Sequence, residues 1–226
     1  MNASEPIKRN FSDWSLQSLR DTFKLQLNRQ HATLKAWEEA AQNEELDPPL
    51  QQNLESLRDT VERHAGGWNE EELKLHFLGP LFRFVDFDGE DYGAFAGRSF
   101  GANVGGYHLS GIVDGVVARG YWEPVLPYFC LQEFKPEKGR DKDPAGQCLS
   151  AMLAARELNA DGEPLYGAYI LGRFWFFLTL DGEKMVYGLS KAYDSSSEDL
   201  EAIFRLLRTL KRIVAGRVET LAKMAP

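Results

Sequence analysis

The hydrophobic pattern of this 226-residue chain changes its period at Asp88-Gly89, and that change constrains the fold more than any other feature. Before it, apolar residues recur at the three- and four-residue spacing of amphipathic helices. A break at Asp47-Pro48-Pro49 separates two helical stretches, because proline cannot continue a helix. A further helix is predicted to begin at Asn69, which suits an N-cap, with three glutamates in its first turn.

After Asp88-Gly89 the chain consists of short β-rich runs with one helical stretch among them. The predicted elements are strands at 92–100, 107–119 and 128–135, a helix at 144–158, strands at 165–171, 174–180 and 185–190, and a final helix after the serines at 195–197. The glycine-rich residues 101–106 are predicted to form a loop. This order predicts an α/β fold, in which residues 1–66 form an N-terminal helical extension and residues 67–226 an α/β domain whose mixed sheet is flanked by helices.

Composition narrows the class of protein. With 26 Lys and Arg against 34 Asp and Glu, the formal charge of −8 argues against a protein that coats DNA through surface cations. Cys130 and Cys148 are too few for a disulfide framework or a cysteine zinc site. Because no apolar run approaches the ~20 residues of a membrane span and no signal-peptide pattern is visible, we expect a cytoplasmic protein without a membrane partner.

Asp114 lies inside the β-branched run of residues 111–117. A carboxylate in the middle of a strand is costly unless it is paired or binds a metal. A turn is the alternative, since Asp-Gly is a common turn dipeptide, but Val116 and Val117 continue the strand pattern. Gly115 would allow another backbone or a phosphate to approach closely.

Glu133 and Lys135 are two residues apart on the next strand, so their side chains leave the same face, while Phe134 points to the other. An acid beside a lysine suits a site where a cation and a phosphate meet, although a surface ion pair is the alternative. The spacing alone is weak, since roughly one instance is expected by chance. Glu72-Leu73-Lys74 is a second instance, on a helix where no function is assigned to it.

Asp114, then Glu133-Phe134-Lys135, then Gln147 on the following helix resemble the motif of the PD-(D/E)XK nuclease superfamily. The resemblance covers about residues 69–180, and Val113 stands where the motif has proline. Residues 68–80, and residues 127–135 followed by 143–147, are also similar to a group of uncharacterised bacterial members. The resemblance implies a restriction-endonuclease-like core: a helix, a three-stranded meander, a helix and further strands.

The resemblance also implies roles for these residues. Asp114, Glu133 and the backbone carbonyl of Phe134 would bind Mg²⁺, with Mn²⁺ as a substitute, because hard cations take oxygen ligands. Lys135 would orient the attacking water or stabilise charge on the phosphate, and Gln147 would hold that water or the metal's hydration shell.

Glu70 is the acid that the first helix would add to such a site, because it lies in phase with Leu73 and Phe77. A plain acid at a helix N-terminus, favoured by the helix dipole, is an equal alternative for this residue.

The function implied is metal-dependent hydrolysis of phosphodiester bonds in nucleic acid, with DNA favoured over RNA. The alternative is a non-catalytic interaction subunit of a DNA-processing or restriction system, since the superfamily contains such members and the charge is negative. A homodimer and a partner DNA-processing subunit both stay open. The final helix carries basic residues that are explained mainly by the helix dipole and a solvated face, with contact to a phosphate backbone as the alternative: Arg205, Arg208, Lys211, Arg212, Arg217 and Lys223. Lys138, Arg140 and Lys142 follow the site directly and are well placed to contact phosphates, although Glu137 and Asp141 make their segment nearly neutral.

Overall fold

The computed structural model describes residues 5–137 and 143–224. The helices are α1 Leu16–Phe23, α2 Ala32–Ala41, α3 Pro48–His64, α4 Glu70–Leu73, α5 Gly79–Val85, α6 Pro144–Asn159 and α7 Asp199–Met224. The strands are β1 Ile7–Asn10, β2 Gln26–Leu27, β3 Tyr92–Val104, β4 Tyr107–Arg119, β5 Val125–Lys135, β6 Leu165–Leu171, β7 Phe174–Leu180, β8 Val186–Leu189 and β9 Tyr193–Asp194. A π-helical turn, Lys74–Leu78, joins α4 to α5.

The strands form one mixed sheet in the order β1-β4-β5-β6-β7-β8-β2, with β3 also paired to β4 and β9 to β7. Strands β3, β4 and β5 are an antiparallel meander. Helix α6 then returns the chain so that β6 lies parallel to β5, and β7 pairs antiparallel with β6. An α/β fold with a mixed sheet between helices is therefore confirmed.

Each face of the sheet is covered by its own hydrophobic core. On one face the sheet packs against α1 and α6, and α6 is buried along most of its length. On the other face it packs against α2, α3, α5 and α7, where Trp37 donates from Nε1 to the carbonyl of Leu206 at 2.8 Å. In β7, Trp175 and Phe177 are fully buried in this second core, whereas Phe176 packs against the core on the other face.

The segment before residue 67 contains strands that the helical pattern did not predict. β1 pairs in parallel with residues 107–110 of β4, and β2 pairs in parallel with β8. Leu27, which continues the apolar spacing of α1, lies in β2 instead. These short strands show no alternation of apolar residues that would have predicted them. Backbone pairing with distant strands holds them in place instead. Phe11 and Trp14 are buried in the core beside α6.

The prediction of a loop at residues 101–106 is wrong for most of its length. β3 continues through Val104 and pairs with β4 to the end, so only Gly105 and Gly106 form the turn of a long hairpin. Both glycines have positive φ, 53° and 87°, which a side chain would disfavour. No helix within the described ranges has the length and apolarity needed to cross a bilayer.

Candidate active site

The site lies where β4 and β5 separate. One edge of β4 pairs with β1 at residues 107–110 and with β5 at residues 115–119. Within the described chain, the β4–β5 ladder ends at the pair Gly115 and Gln132, while β5 continues beside β6 as far as Lys135. Beyond the ladder, the Phe134 amide donates to Asp114 Oδ2 at 2.7 Å, so a side chain replaces the backbone acceptor. The two strands form a fork that holds Asp114.

Lys135 links the two predicted metal-binding carboxylates. Its Nζ lies 2.5 Å from Glu133 Oε1 and 3.7 Å from Asp114 Oδ2. It also donates to the Phe134 carbonyl at 2.9 Å. The structure therefore brings Asp114, Glu133, Phe134 and Lys135 together, with both carboxylates against one ammonium group.

Glu70 reaches the same cluster from α4. Asn69 caps this helix, and a reciprocal pair of hydrogen bonds with Glu72 fixes its first turn. Glu70 Oε2 lies 3.6 Å from Lys135 Nζ. Of the two alternatives left open for Glu70, the structure therefore supports a position beside the site.

Lys74, to which the sequence assigned no function, is a member of the cluster. It follows α4 directly, at the start of the π-helical turn. Its Nζ lies 2.7 Å from Glu70 Oε1, 3.4 Å from Glu71 Oε1 and 3.8 Å from Asp114 Oδ1. The pairing with Glu70 could be expected from their spacing of four residues. The approach to Asp114, forty positions further along the chain, could not.

The electrostatics of the cluster are dominated by burial and by its carboxylates. Glu133 is 1% exposed. Burial, reinforced by the negative charge of Asp114, raises its pKa from 4.5 to about 8, although Lys135 opposes the shift. Burial alone would lower the pKa of Lys135 and Lys74, but the surrounding carboxylates outweigh it, and the pKa of each lysine is raised.

Gln147 lies in the first turn of α6, close to the helix N-cap Asp143. Its Oε1 atom is buried and has no hydrogen-bond partner among the described residues. Nor does the described part of the chain show a hydrogen bond between Gln147 and the charged cluster. The structure therefore leaves a buried acceptor free on the helix that the motif specifies, without joining it to the other site residues.

A groove of about 560 Å³ opens beside Asp114. It runs between the α4–α5 helical segment and the strands β3, β4 and β5, and the described residues that line it all fall within 71–134. None of the described residues of the N-terminal segment therefore lines it. Glu71, Lys74 and Asp114 form its charged part, whereas Phe82, Phe95 and Phe134 form much of its apolar wall.

Ready-made metal geometry is not found in the described residues: no three His, Cys, Asp or Glu side chains are gathered as a metal ion would need. Ammonium groups lie between the carboxylates instead. Both thiols are buried away from such a role, and Cys148 Sγ contacts the backbone carbonyls of Leu131 at 3.5 Å and Ala168 at 3.6 Å.

The basic residues that could contact a phosphate backbone lie in two places, on α7 and in the segment after β5. On α7, Lys211, Arg212 and Arg217 form ion pairs with acids on other elements, namely Asp86, Glu44 and Asp161. They therefore hold α7 to its neighbours. The segment with Lys138, Arg140 and Lys142 lies outside the described residues.

A scan against protein-family models finds no match to this chain, and a search of curated proteins finds none either. Its function is therefore inferred from the geometry and chemistry of the site.

Proposed function

We propose that this chain is a metal-dependent nuclease of the PD-(D/E)XK type that hydrolyses phosphodiester bonds in nucleic acid, with DNA as the favoured substrate. The observation that carries the proposal is the fork between β4 and β5, where Lys135 contacts both Asp114 and Glu133 beside an open groove. The order of a helix, a three-stranded meander, a helix and a parallel strand supports a restriction-endonuclease-like core.

The residues present fit a hard divalent cation. The carboxyl groups of Glu70, Asp114 and Glu133 surround two ammonium groups, so the cluster has a negative excess once Glu133 loses its proton. The Phe134 carbonyl already accepts from a cation, since Lys135 Nζ lies 2.9 Å away. Carboxylate and carbonyl oxygens are the ligands that Mg²⁺ and Mn²⁺ prefer. When bound, such an ion supplies an acidified water and stabilises charge on the phosphate.

The chain's own groups divide the remaining work. Asp114, Glu133 and the Phe134 carbonyl would hold the cation, with Asp114 kept in orientation by the Phe134 amide. Lys135 would position the attacking water or stabilise the negative charge that develops on the phosphate. Glu70 keeps the Lys135 ammonium beside the fork. The free amide oxygen of Gln147 offers an acceptor for a water proton.

A non-catalytic interaction subunit is the second candidate. The formal charge of −8 favours it, and so does the use of basic residues on α7 in internal ion pairs. A cytoplasmic location suits both candidates, since each acts on nucleic acid or its processing machinery. A basic partner subunit would supply cationic surface in either case, whereas a homodimer would place two sites against two strands.

The experiment that separates the two candidates is calorimetric titration of Mg²⁺ and Mn²⁺, run beside cleavage assays on plasmid and single-stranded DNA. Glu133→Gln removes one carboxylate with little change in shape, so we expect metal binding to weaken strongly and cleavage to fall by about 100-fold or more. Glu62→Gln, on the exposed face of α3, is the matched control and should behave as wild type.

Loss of both metal binding and cleavage in Glu133→Gln alone would support the nuclease. Metal binding by the wild type without cleavage of any substrate would support the interaction subunit instead. A wild-type protein that binds no metal, even with DNA present to complete the ligand shell, would overturn the nuclease proposal.

A further inference from the structure

Lys74 lies against Asp114, one of the carboxylates that would hold the cation. Asp114 has two carboxylate oxygens, and Oδ2 already accepts from the Phe134 amide at 2.7 Å. Oδ1 is therefore the oxygen left for a further partner, and Lys74 Nζ is 3.8 Å from it. The same ammonium donates to Glu70 Oε1 at 2.7 Å. Lys74 thus lies against the two acids on the helix side of the fork.

Lys74 also belongs to the groove. Its side chain is 32% exposed and lines the cavity together with Glu71, Gly79 and Phe82. A lysine has a flexible four-carbon stem and a compact charge, so the ammonium can leave the acids and stay in the groove without a change of backbone. By contrast, Lys135 is held from three sides by Glu133, Asp114 and the Phe134 carbonyl.

We propose that Lys74 is a resident counter-ion, which neutralises Asp114 and Glu70 in the metal-free protein, leaves Asp114 when a divalent cation binds in the fork, and then binds a phosphate of the nucleic acid in the groove. The phosphate-binding half of this inference rests on the proposed nuclease function. The exchange keeps the acids compensated before the metal arrives. The exchange also couples the two binding events: the protein binds nucleic acid more tightly when the cation is bound, because the metal frees the ammonium that the phosphate needs.

The test compares Lys74→Met with Lys35→Met, a matched control in which the lysine is exposed on α2 and, among the described residues, pairs with Glu39 alone. Without nucleic acid, Lys74→Met should bind Mn²⁺ roughly tenfold more tightly than wild type in calorimetry, since the Lys74 ammonium no longer competes for Asp114 and Glu70. Its melting temperature in chelator should fall, and Mn²⁺ should raise it by more than in wild type. Lys74→Gln is the second variant, in case the methionine side chain impairs folding.

The substrate half is read from binding of a labelled DNA duplex in Ca²⁺, which suppresses turnover. Lys74→Met should bind roughly tenfold more weakly, and the slope of log affinity against log salt should shrink by about one phosphate contact. Lys74→Arg should keep that slope.

Unchanged or weaker Mn²⁺ binding in both Lys74→Met and Lys74→Gln would overturn the counter-ion inference, while metal-dependent cleavage by the wild type would leave the nuclease proposal standing. Tighter Mn²⁺ binding in these variants, combined with no cleavage by any protein, would support the counter-ion and reject the nuclease. Unchanged DNA affinity and salt slope would reject the phosphate-binding half alone.

Discussion

Glu133 shows how strongly a single environment can determine the chemistry of a residue. Its side chain is almost completely buried, and it lies between a second carboxylate and the Lys135 ammonium. Burial and the charge of Asp114 together disfavour its ionised form, so the pKa of Glu133 is about 8 in the metal-free protein. A carboxyl group in this state gains most from a neighbouring cation, which is the property that a metal-binding acid requires.

The raised pKa predicts a pH dependence of stability in the metal-free protein. The pKa of Glu133 is about 8 in the folded protein, against an ordinary value of 4.5. The contribution of the protonated Glu133 side chain to stability is therefore complete below about pH 4.5 and is lost as the pH rises through 8. Relative to Glu133→Gln, the wild-type free energy of unfolding should therefore decrease from about pH 5 to about pH 8 and then level off. Urea unfolding in chelator measures it, and parallel pH curves for the two proteins would contradict the assignment.

Burial also predicts the behaviour of the two thiols. It raises the pKa of Cys130 to about 12 and raises the pKa of Cys148 as well. Because the thiolate is the reactive form, neither residue should be alkylated by iodoacetamide in the folded protein, whereas both should react in denaturant. Counting the modified thiols by mass spectrometry checks this, and rapid labelling of either thiol in native buffer would show that the core around it opens.

At this scale the sequence predicts some residues of the site and not others. Asp114, Glu133 and Lys135 carry a pattern that strand geometry can interpret, and they meet in the structure. Lys74 carries no such pattern, because a lysine four residues after a glutamate is common on helices. Its contact with Asp114 depends on where α4 packs against the sheet, which a local pattern does not contain.

At the scale of elements, the start of α6 is attached to the N-terminal segment. Asp143 accepts from the Gly146 amide through Oδ1 and from the Leu16 amide through Oδ2, so one carboxylate caps both α6 and the start of α1. Gly146 makes this contact close, since a Cβ there would lie 2.4 Å from the carbonyl oxygen of Trp14. The first turn of α6, which carries Gln147, is therefore positioned by the N-terminal segment.

This double cap predicts an unequal effect of two similar substitutions. Asp143→Ala should reduce the free energy of unfolding by about 2–3 kcal/mol, because it removes a helix cap and also leaves the Leu16 amide without its acceptor. Asp47→Ala, which removes a cap from α3 alone, should cost about 1 kcal/mol. Chemical denaturation of both variants makes the comparison, and equal losses would show that the contact with Leu16 contributes nothing.

The sequence predicts long strands better than short ones. β6 and β7 have the predicted bounds, since each is a continuous apolar run between turn residues. β1 and β2 are missed, because four-residue and two-residue strands are held by backbone pairing with β4 and β8. The hairpin of β3 and β4 is longer than predicted, since Gly101 to Val104 pair through their backbone despite a loop-like composition.

At the scale of the whole molecule, the N-terminal segment is tied into the sheet that carries the site. Phe11 is 1% exposed and lies against Gly111, three residues before Asp114, where a Cβ would approach its ring to 2.8 Å. The ring also packs against Phe100 with centroids 5.2 Å apart. The part of β4 that leads into the fork is therefore supported by residues from the start of the chain.

Phe11→Ala should consequently destabilise the whole molecule, by about 3–5 kcal/mol, as expected for removing a buried aromatic ring. Ile7→Ala is the control, since Ile7 is exposed on β1 and should change stability by no more than about 0.5 kcal/mol. Denaturant unfolding followed by tryptophan fluorescence tests the pair, and a small loss for Phe11→Ala would mean that the segment is dispensable.

The central claim is that the fork between β4 and β5 binds a divalent cation at which phosphodiester bonds are hydrolysed. Crystals soaked in Mn²⁺ test its location most directly, through anomalous diffraction of wild type and of Asp114→Asn. We predict an anomalous peak at about 2.0–2.3 Å from Asp114 Oδ1 and from a Glu133 oxygen, absent in Asp114→Asn, with Lys74 Nζ moved into the groove. A peak at any other place, or no peak in a wild-type crystal that is saturated with Mn²⁺, would contradict the claim.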